Sequence, residues 1–472
     1  MKNKLIVIGL DGASFELIQP WIDNNELPNL KRIQKKGCYA DMEVCLPPVT
    51  SPNWKCYSTG KNPGKIGAFW WENINIENRR VYHPRKYYAK QKEIWEYLGA
   101  DGKRVLVMNM PTTYPPKEVN GILISGGPDA EESGFAYPRE IEEWLKERNY
   151  EVHAEKLNPN VFDKQEIYES CRRAIDKRFK IFKELLKKDK FDFAQLIIFH
   201  VNALQHFYWD DESTKEVWKI IDTHLGDFVD KDQNMIILSD HGSNKIEHVF
   251  NINAWLEKEG YLVLKEKLRR GFLQKTGITK EKGYAVASKI GIKKKTLTKI
   301  LPKKVQEAIP SEGGEFKKES KTSIINWEKS RAIASGQGPL YIIGNQELRD
   351  ELKEKLENLK HPKSGKRMVR KIYFKEEIYS GKYVEKGPDL LLDMAKGIHI
   401  AGGVGKKDIF EGPKKWLGEN KKTGLFMAFG EDIPAKGKIS KVHILDLAPS
   451  ILDFFGLKKP EDMDGQSIKD VM

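Results

Sequence analysis

The chain has 472 residues, 39% of them hydrophobic and 10% aromatic, with a formal net charge of +13. That much apolar material supplies a large core and excludes a disordered polymer. The lysine-rich excess charge favours anionic partners in general: a phosphorylated small molecule, an anionic lipid surface or a nucleic acid.

Residues 5–10, Leu-Ile-Val-Ile-Gly-Leu, are a continuous apolar run ending in Asp11-Gly12. The pattern predicts a strand buried on both faces with an acidic side chain at its carboxyl end. The six apolar or glycine residues before Asp11 are too few for a secretory leader. Residues 47–54, Pro-Pro-Val-Thr-Ser-Pro-Asn-Trp, cannot lie wholly within one helix or a central strand, because proline removes backbone donors and fixes φ. They read as a rigid support presenting the Thr50 hydroxyl. Further apolar runs at 104–108, 122–125, 196–199, 235–238, 340–343, 390–392 and 426–429 predict strands. Amphipathic stretches such as 168–187 and 444–455 predict helices between them. This alternation predicts an α/β fold with a mostly parallel central sheet and helices on both faces. In such sheets ligands bind beyond the carboxyl ends of the strands.

Between 263 and 325 the pattern changes. Leu268-Arg269-Arg270, Lys293-Lys294-Lys295 and Lys303-Lys304 punctuate short helical segments. The expected organisation is an α/β core in two parts, 1–262 and 326–472, separated by a basic helical insertion at 263–325. That insertion is a candidate cap or membrane-surface contact. No stretch approaches the roughly 18 apolar residues of a membrane span. The four cysteines, Cys38, Cys45, Cys56 and Cys171, lack CxxC or zinc-finger spacing and read as buried thiols. A reduced, cytoplasmic protein is expected.

The polar residues after the apolar runs are the candidates for chemistry. Asp11 follows the first, Asn202 and His206 follow the run at 196–199, and Asp240 and His241 follow that at 235–238. An Asp at a strand end is often only a helix cap. Two carboxylates, two histidines and the Thr50 hydroxyl converging on one edge are a different matter. Their oxygens and nitrogens suit Zn²⁺, Mn²⁺ or a similar ion. A coordinated threonine would become a competent nucleophile.

Several longer stretches carry a family resemblance: "VIGLDGASFELIQPWI", "PPVTSPNWKCYSTGKNPGKIGAF", "MPTTYPPKEVNGILISG", "NALQHFYW", "SDHG" and "HILDLAPSILDFFGLKKPEDMDGQSI", in that order from residue 7 to 468. Together they resemble the alkaline phosphatase superfamily, in its type I phosphodiesterase/nucleotide pyrophosphatase branch. The resemblance implies an alkaline-phosphatase-like fold and a metal-dependent phosphohydrolase that cleaves a phosphodiester or pyrophosphate bond through a phospho-threonine. Asp11, Thr50, Asp240 and His241 match the ligands of one metal ion, with Thr50 also the nucleophile. Asn53 and the Ser51 amide match donors to a phosphoryl oxygen.

The second ion of this family is held by an Asp and a His spaced D-x-x-x-H and by a later His followed by Arg. Here the matching positions are Asn202, His206, Asn420 and Lys421. Two of three ligands are thus neutral amides, which bind a dication poorly. Three outcomes are open. The second ion is absent and Lys421 takes its electrostatic role towards substrate; it is held in rearranged form, with His200, or less readily His399 or His248, as a ligand; or the protein binds a nucleotide or phosphorylated ligand without efficient turnover. Trp70 and Trp71 are candidates either for stacking a base or for a core contact. A basic nucleic-acid-binding protein would account for the charge but not for the ordered metal-site motifs.

Overall fold

The computed structural model describes residues 4–231, 233–265, 323–469 and 471. The basic stretch at 263–325 lies outside the described residues except at its two ends. Those ends pair: Lys265 N–H donates to Ile324 at 2.9 Å and Asn326 N–H to Val263 at 2.8 Å.

The strand Leu5–Leu10, buried at every position, lies near the centre of a ten-stranded sheet. Phe193–Ile198 and Met235–Leu238 run parallel to it on either side. Val105–Met110 and Gly121–Ser125 continue the parallel order beyond Phe193–Ile198. On the other side Thr423–Phe429 is inserted antiparallel between Met235–Leu238 and Cys38–Glu43. Cys38–Glu43 therefore points the same way as Leu5–Leu10.

Strand alternation divides the core into two layers. Ile6, Ile8 and Leu10 pack with Phe179, Phe182 and Trp218 of the helices Lys164–Lys188 and Glu212–Val229. Leu5 and Val7 pack on the opposite face with Trp54, Tyr57, Leu447 and Ile451 of Thr50–Thr59 and Leu447–Phe454. Each layer removes large aliphatic and aromatic side chains from water, the main favourable term for the fold.

The expectation for 326–472 needs correction. The apolar runs at 340–343 and 390–392 do not join the central sheet. They fall in Pro339–Ile342 and Leu390–Met394, part of a separate antiparallel sheet with Ala332–Ala334 and Val369–Phe374. That sheet buries Leu340, Leu390 and Leu392 against Leu352 and Leu356 of the helix Leu348–Glu357. A short apolar run signals burial but not which sheet provides it. Among the described residues no helix is long and apolar enough to cross a membrane.

Candidate active site

The carboxyl ends of four parallel strands meet at one edge. Gly9 and Leu238 are register partners, so Asp11 and Asp240 emerge side by side. Gly12 turns the chain there with φ +68°, and its N–H donates to Asp240 Oδ1 at 3.1 Å. A Cβ at Gly12 would sit 2.3 Å from Asn202 Oδ1, so the turn tolerates no side chain. Cys38–Glu43 leads through residues 44–49 into the helix Thr50–Thr59. Thr50 and Trp54, one turn apart on that helix, both reach the carboxylate cluster.

The Thr50 hydroxyl lies 3.2 Å from His241 Nε2 and 3.5 Å from Asp11 Oδ1. Trp54 Nε1 donates to Asp11 Oδ2 at 3.0 Å. His241 Nδ1 donates to the Gly242 carbonyl at 2.9 Å, which leaves Nε2 as the acceptor facing Thr50. That same nitrogen is 3.3 Å from Asp240 Oδ2 and 3.6 Å from Asp11 Oδ1.

Burial, and then the neighbouring Asp240, pushes the Asp11 carboxyl well above its ordinary range. Burial likewise raises Asp240 to about 8 and lowers His241. Two buried carboxylates this close favour a shared proton or a cation between them. One ligand atom from each of Asp11, Asp240 and His241 lies within 4.8 Å of the others. Asp240 Oδ2 is buried and has no hydrogen-bond partner among the described residues. Two carboxylates, an imidazole nitrogen and a hydroxyl are a donor set that fits one divalent first-row ion.

The remaining expected residues lie close by but are differently engaged. Asn202, on the helix His200–Phe207, donates from Nδ2 to Asp11 Oδ1 at 2.7 Å. His206 Nδ1 donates to the Gly418 carbonyl at 2.8 Å, and its ring stacks on Trp416 at 3.8 Å. Burial lowers His206 to about 4, so its imidazole is neutral near pH 7. Asn420, on the strand Gly418–Lys421, donates from Nδ2 to the Pro48 carbonyl at 2.9 Å.

Three expectations differ from the structure. Asn53 does not point its amide at the cleft. Its Oδ1 accepts from Cys45 N–H at 2.9 Å, and its Nδ2 is directed at the carbonyls of Cys45, Pro47 and Val49 at 3.0–3.1 Å. Lys421 is held by Glu16 at 2.6 Å, because strand alternation turns it away from the side Asn420 faces. His200 opens a helix rather than extending the strand, so two residues' separation puts it and Asn202 on different faces. Its Nε2 accepts from Ala154 N–H at 3.1 Å instead. His248 lies apart, stacked on His361 and 3.3 Å from the Ser364 hydroxyl. The Ser51 hydroxyl pairs with that of Tyr88. As first residues of a helix, Thr50 and Ser51 have backbone N–H groups without intrahelical acceptors, whereas Pro52 has none to offer.

A cleft of about 690 Å³ opens over these groups, with Thr50, Asn202, His206 and Asn420 in its wall and Trp70, Trp71 and Trp416 around it. Sequence reasoning missed Glu419. It is fully buried, accepts from Gln337 Nε2 at 3.0 Å and Asn420 N–H at 2.9 Å, and pairs with His399 Nδ1. Burial alone would raise Glu419, but the His399 charge and the bonds from His399 and Gln337 hold it below its ordinary value. Trp70 Nε1 donates to Gln337 Oε1 at 3.1 Å, so buried Glu419 is tied to three residues that line the cleft, Trp70, Gln337 and His399. A lone acid in "GENK" beside a matched motif position is the only sequence signal for it.

The model of the type I phosphodiesterase/nucleotide pyrophosphatase family matches residues 5–422. The chain belongs to this family. Solved structures of its fold include murine ectonucleotide pyrophosphatase/phosphodiesterase 5, with a TM-score of 0.54, 14% identity, and 97% of this chain and 96% of that one covered. An inactive threonine-to-alanine variant of the murine protein in complex with AMP matches with the same values. The human counterpart matches with a TM-score of 0.54 and 14% identity over 98% of this chain and 97% of that one. No curated protein sequence matches. A phosphodiesterase/pyrophosphatase-type family on an alkaline-phosphatase-like fold thus accounts for the order of the motifs and the edge at which their residues meet.

Proposed function

We propose that the protein is a divalent-metal-dependent phosphohydrolase that cleaves a phosphodiester or pyrophosphate bond in a nucleotide or similar phosphorylated molecule, with Thr50 as nucleophile. The observation that carries this reading is the Thr50 hydroxyl at a helix N-terminus, within 3.5 Å of both Asp11 and His241. Asp11, Asp240, His241 and the Thr50 hydroxyl would hold Zn²⁺ or Mn²⁺, which when bound favours the alkoxide form of a coordinated hydroxyl.

In the proposed step a bond forms between Thr50 Oγ1 and phosphorus while the bond to the leaving oxygen breaks. With His241 Nε2, Asp11 and Asp240 engaged as ligands, the Thr50 hydroxyl proton would pass to solvent in the cleft. The N–H groups of Thr50 and Ser51 are oriented to donate to phosphoryl oxygens, and the helix dipole adds positive potential there. Water then hydrolyses the phospho-threonine and restores the hydroxyl. The tryptophans around the cleft suit a flat aromatic portion of the substrate, and the murine relative's complex with AMP supports a nucleotide ligand. The compartment is read from the cysteines: all four are buried free thiols, which supports a reduced, cytoplasmic setting and stands apart from the ectoenzymes among the structural relatives.

A second reading, a nucleotide-binding protein without efficient turnover, is favoured by the neutral Asn202 and Asn420. The two are separated by assaying purified protein on bis-p-nitrophenyl phosphate and nucleoside triphosphates with Zn²⁺ or Mn²⁺. Turnover abolished by Thr50→Ala supports the hydrolase. Tight nucleotide binding without turnover supports the second reading, and activity unchanged in Thr50→Ala would sink the mechanism.

A further inference from the structure

The polar groups beside Thr50 form two sets of opposite character. Asp11 and Asp240 bring two carboxylates to one side, with His241 Nε2 as a third acceptor. Asn202, His206 and Asn420 bring two amides and an imidazole, none of which carries a negative charge. We propose that this chain binds a single divalent ion, at Asp11, Thr50, Asp240 and His241, and that the Asn202 amide stands in for a second ion by hydrogen-bonding Asp11. The proposal rests on the metal-dependent reading above and sharpens it.

Asn202 is the deciding residue. It presents Nδ2, a donor, to Asp11 Oδ1 at 2.7 Å. A second ion on that side would need an acceptor there. Turned over, the amide would set its carbonyl oxygen against the Asp11 carboxylate oxygen, an arrangement that only a proton or a second cation between them would hold, so the two orientations go with one ion and with two. The side chain is also wedged against the glycine turn, since a Cβ on Gly12 would lie 2.3 Å from Asn202 Oδ1 and 2.6 Å from its Cγ. It is built into the wall of the site.

The rest of the second set fits the same account. Asn420 has its amide N–H on the Pro48 carbonyl, and its Oδ1, like that of Asn202, is a buried neutral oxygen with no partner among the described residues. Neutral amide oxygens offer little to offset the desolvation of a dication. His206 has Nδ1 on Gly418 and one ring face on Trp416, so at most one nitrogen remains for a ligand. Glu419, the buried carboxylate next in sequence to Asn420, is already paired with His399 and accepts from Gln337 and from the Asn420 backbone. Lys421 is paired with Glu16. One dication balances the two carboxylates Asp11 and Asp240. A second would add two positive charges beside Asn202, His206 and Asn420, none of which is an anion.

The test is a metal count. Full-length protein is stripped with chelator, reloaded with excess Zn²⁺ or Mn²⁺, desalted and analysed by inductively coupled plasma mass spectrometry against protein concentration. The expected result is one ion per chain in the wild type, none in Asp240→Ala, and two in the Asn202→Asp/Asn420→His variant. Two ions in the wild type, or a folded double variant that still holds one, would overturn the proposal. The wild-type count decides even if the double variant does not fold. It is also independent of turnover: an inactive protein holding one ion refutes the hydrolase reading and leaves the single-ion centre standing, whereas a protein that binds no ion refutes both.

Discussion

Replacing Asn53 by alanine separates a structural role from a substrate-binding one. Two backbone groups depend on that side chain. Cys45 N–H donates to Asn53 Oδ1, and the Cys45 carbonyl accepts from Asn53 Nδ2. The other two acceptors keep partners without it: the Pro47 carbonyl retains Val49 N–H at 2.8 Å, and the Val49 carbonyl retains Asn53 N–H at 3.2 Å. The substitution therefore leaves one buried donor and one buried acceptor unpaired. At about 1–3 kcal/mol for each, the cost is about 4 kcal/mol, close to a thousandfold in the folding equilibrium. The same loss loosens the loop that presents Thr50, so turnover falls as well. Urea denaturation followed by tryptophan fluorescence measures the first effect and steady-state kinetics the second. A variant whose stability stays within about 1 kcal/mol of wild type while KM alone rises would refute the structural role and return Asn53 to the substrate.

Metal affinity should rise with pH up to about 8, because burial keeps a proton on Asp240 below that point and the ion must displace it. The sign follows from the metal-bound form being the deprotonated one; titration calorimetry in buffers of different ionisation heat measures the released proton, and a pH-independent affinity contradicts the assignment. Lys421→Met should change kcat/KM less than about twofold and stability by less than about 1 kcal/mol, since it removes only a half-exposed pair with Glu16. A tenfold rise in KM would show instead that the ammonium reaches substrate. Trp54→Phe removes the donor to Asp11 Oδ2 while keeping an aromatic ring. It should cost about 1–3 kcal/mol of stability in the metal-free protein, measured by urea denaturation, and no change in the midpoint would refute the bond's contribution.

The edge of the sheet was legible because buried parallel strands announce themselves locally. The runs ending in Asp11 and Asp240-His241 are fully apolar and stop at the first polar residue. Which strands are neighbours was not legible, and the antiparallel insertion of Thr423–Phe429 has no local signature. The rearranged site with His200 as a ligand needed the strand to continue, but it ends at Ile198 and a helix starts two residues later, changing the side-chain period from 2 to 3.6. The direction of the Asn53 amide and the partner of Lys421 are tertiary facts. The family resemblance implied that both residues lie beside the phosphate, but the loop carbonyls and Glu16 of the first helix claim them. The Glu419–His399 pair joins two strands that no short-range pattern links.

The most direct measurement is to trap the intermediate. Protein loaded with Zn²⁺ or Mn²⁺ is mixed with bis-p-nitrophenyl phosphate or a nucleoside triphosphate, quenched in acid within the first turnover, digested and mapped by mass spectrometry. A phosphoryl or phosphodiester adduct on Thr50, absent from Thr50→Ala, is the expected result. Turnover with no adduct on Thr50, or an adduct on another residue that persists in Thr50→Ala, would contradict the assignment of the nucleophile.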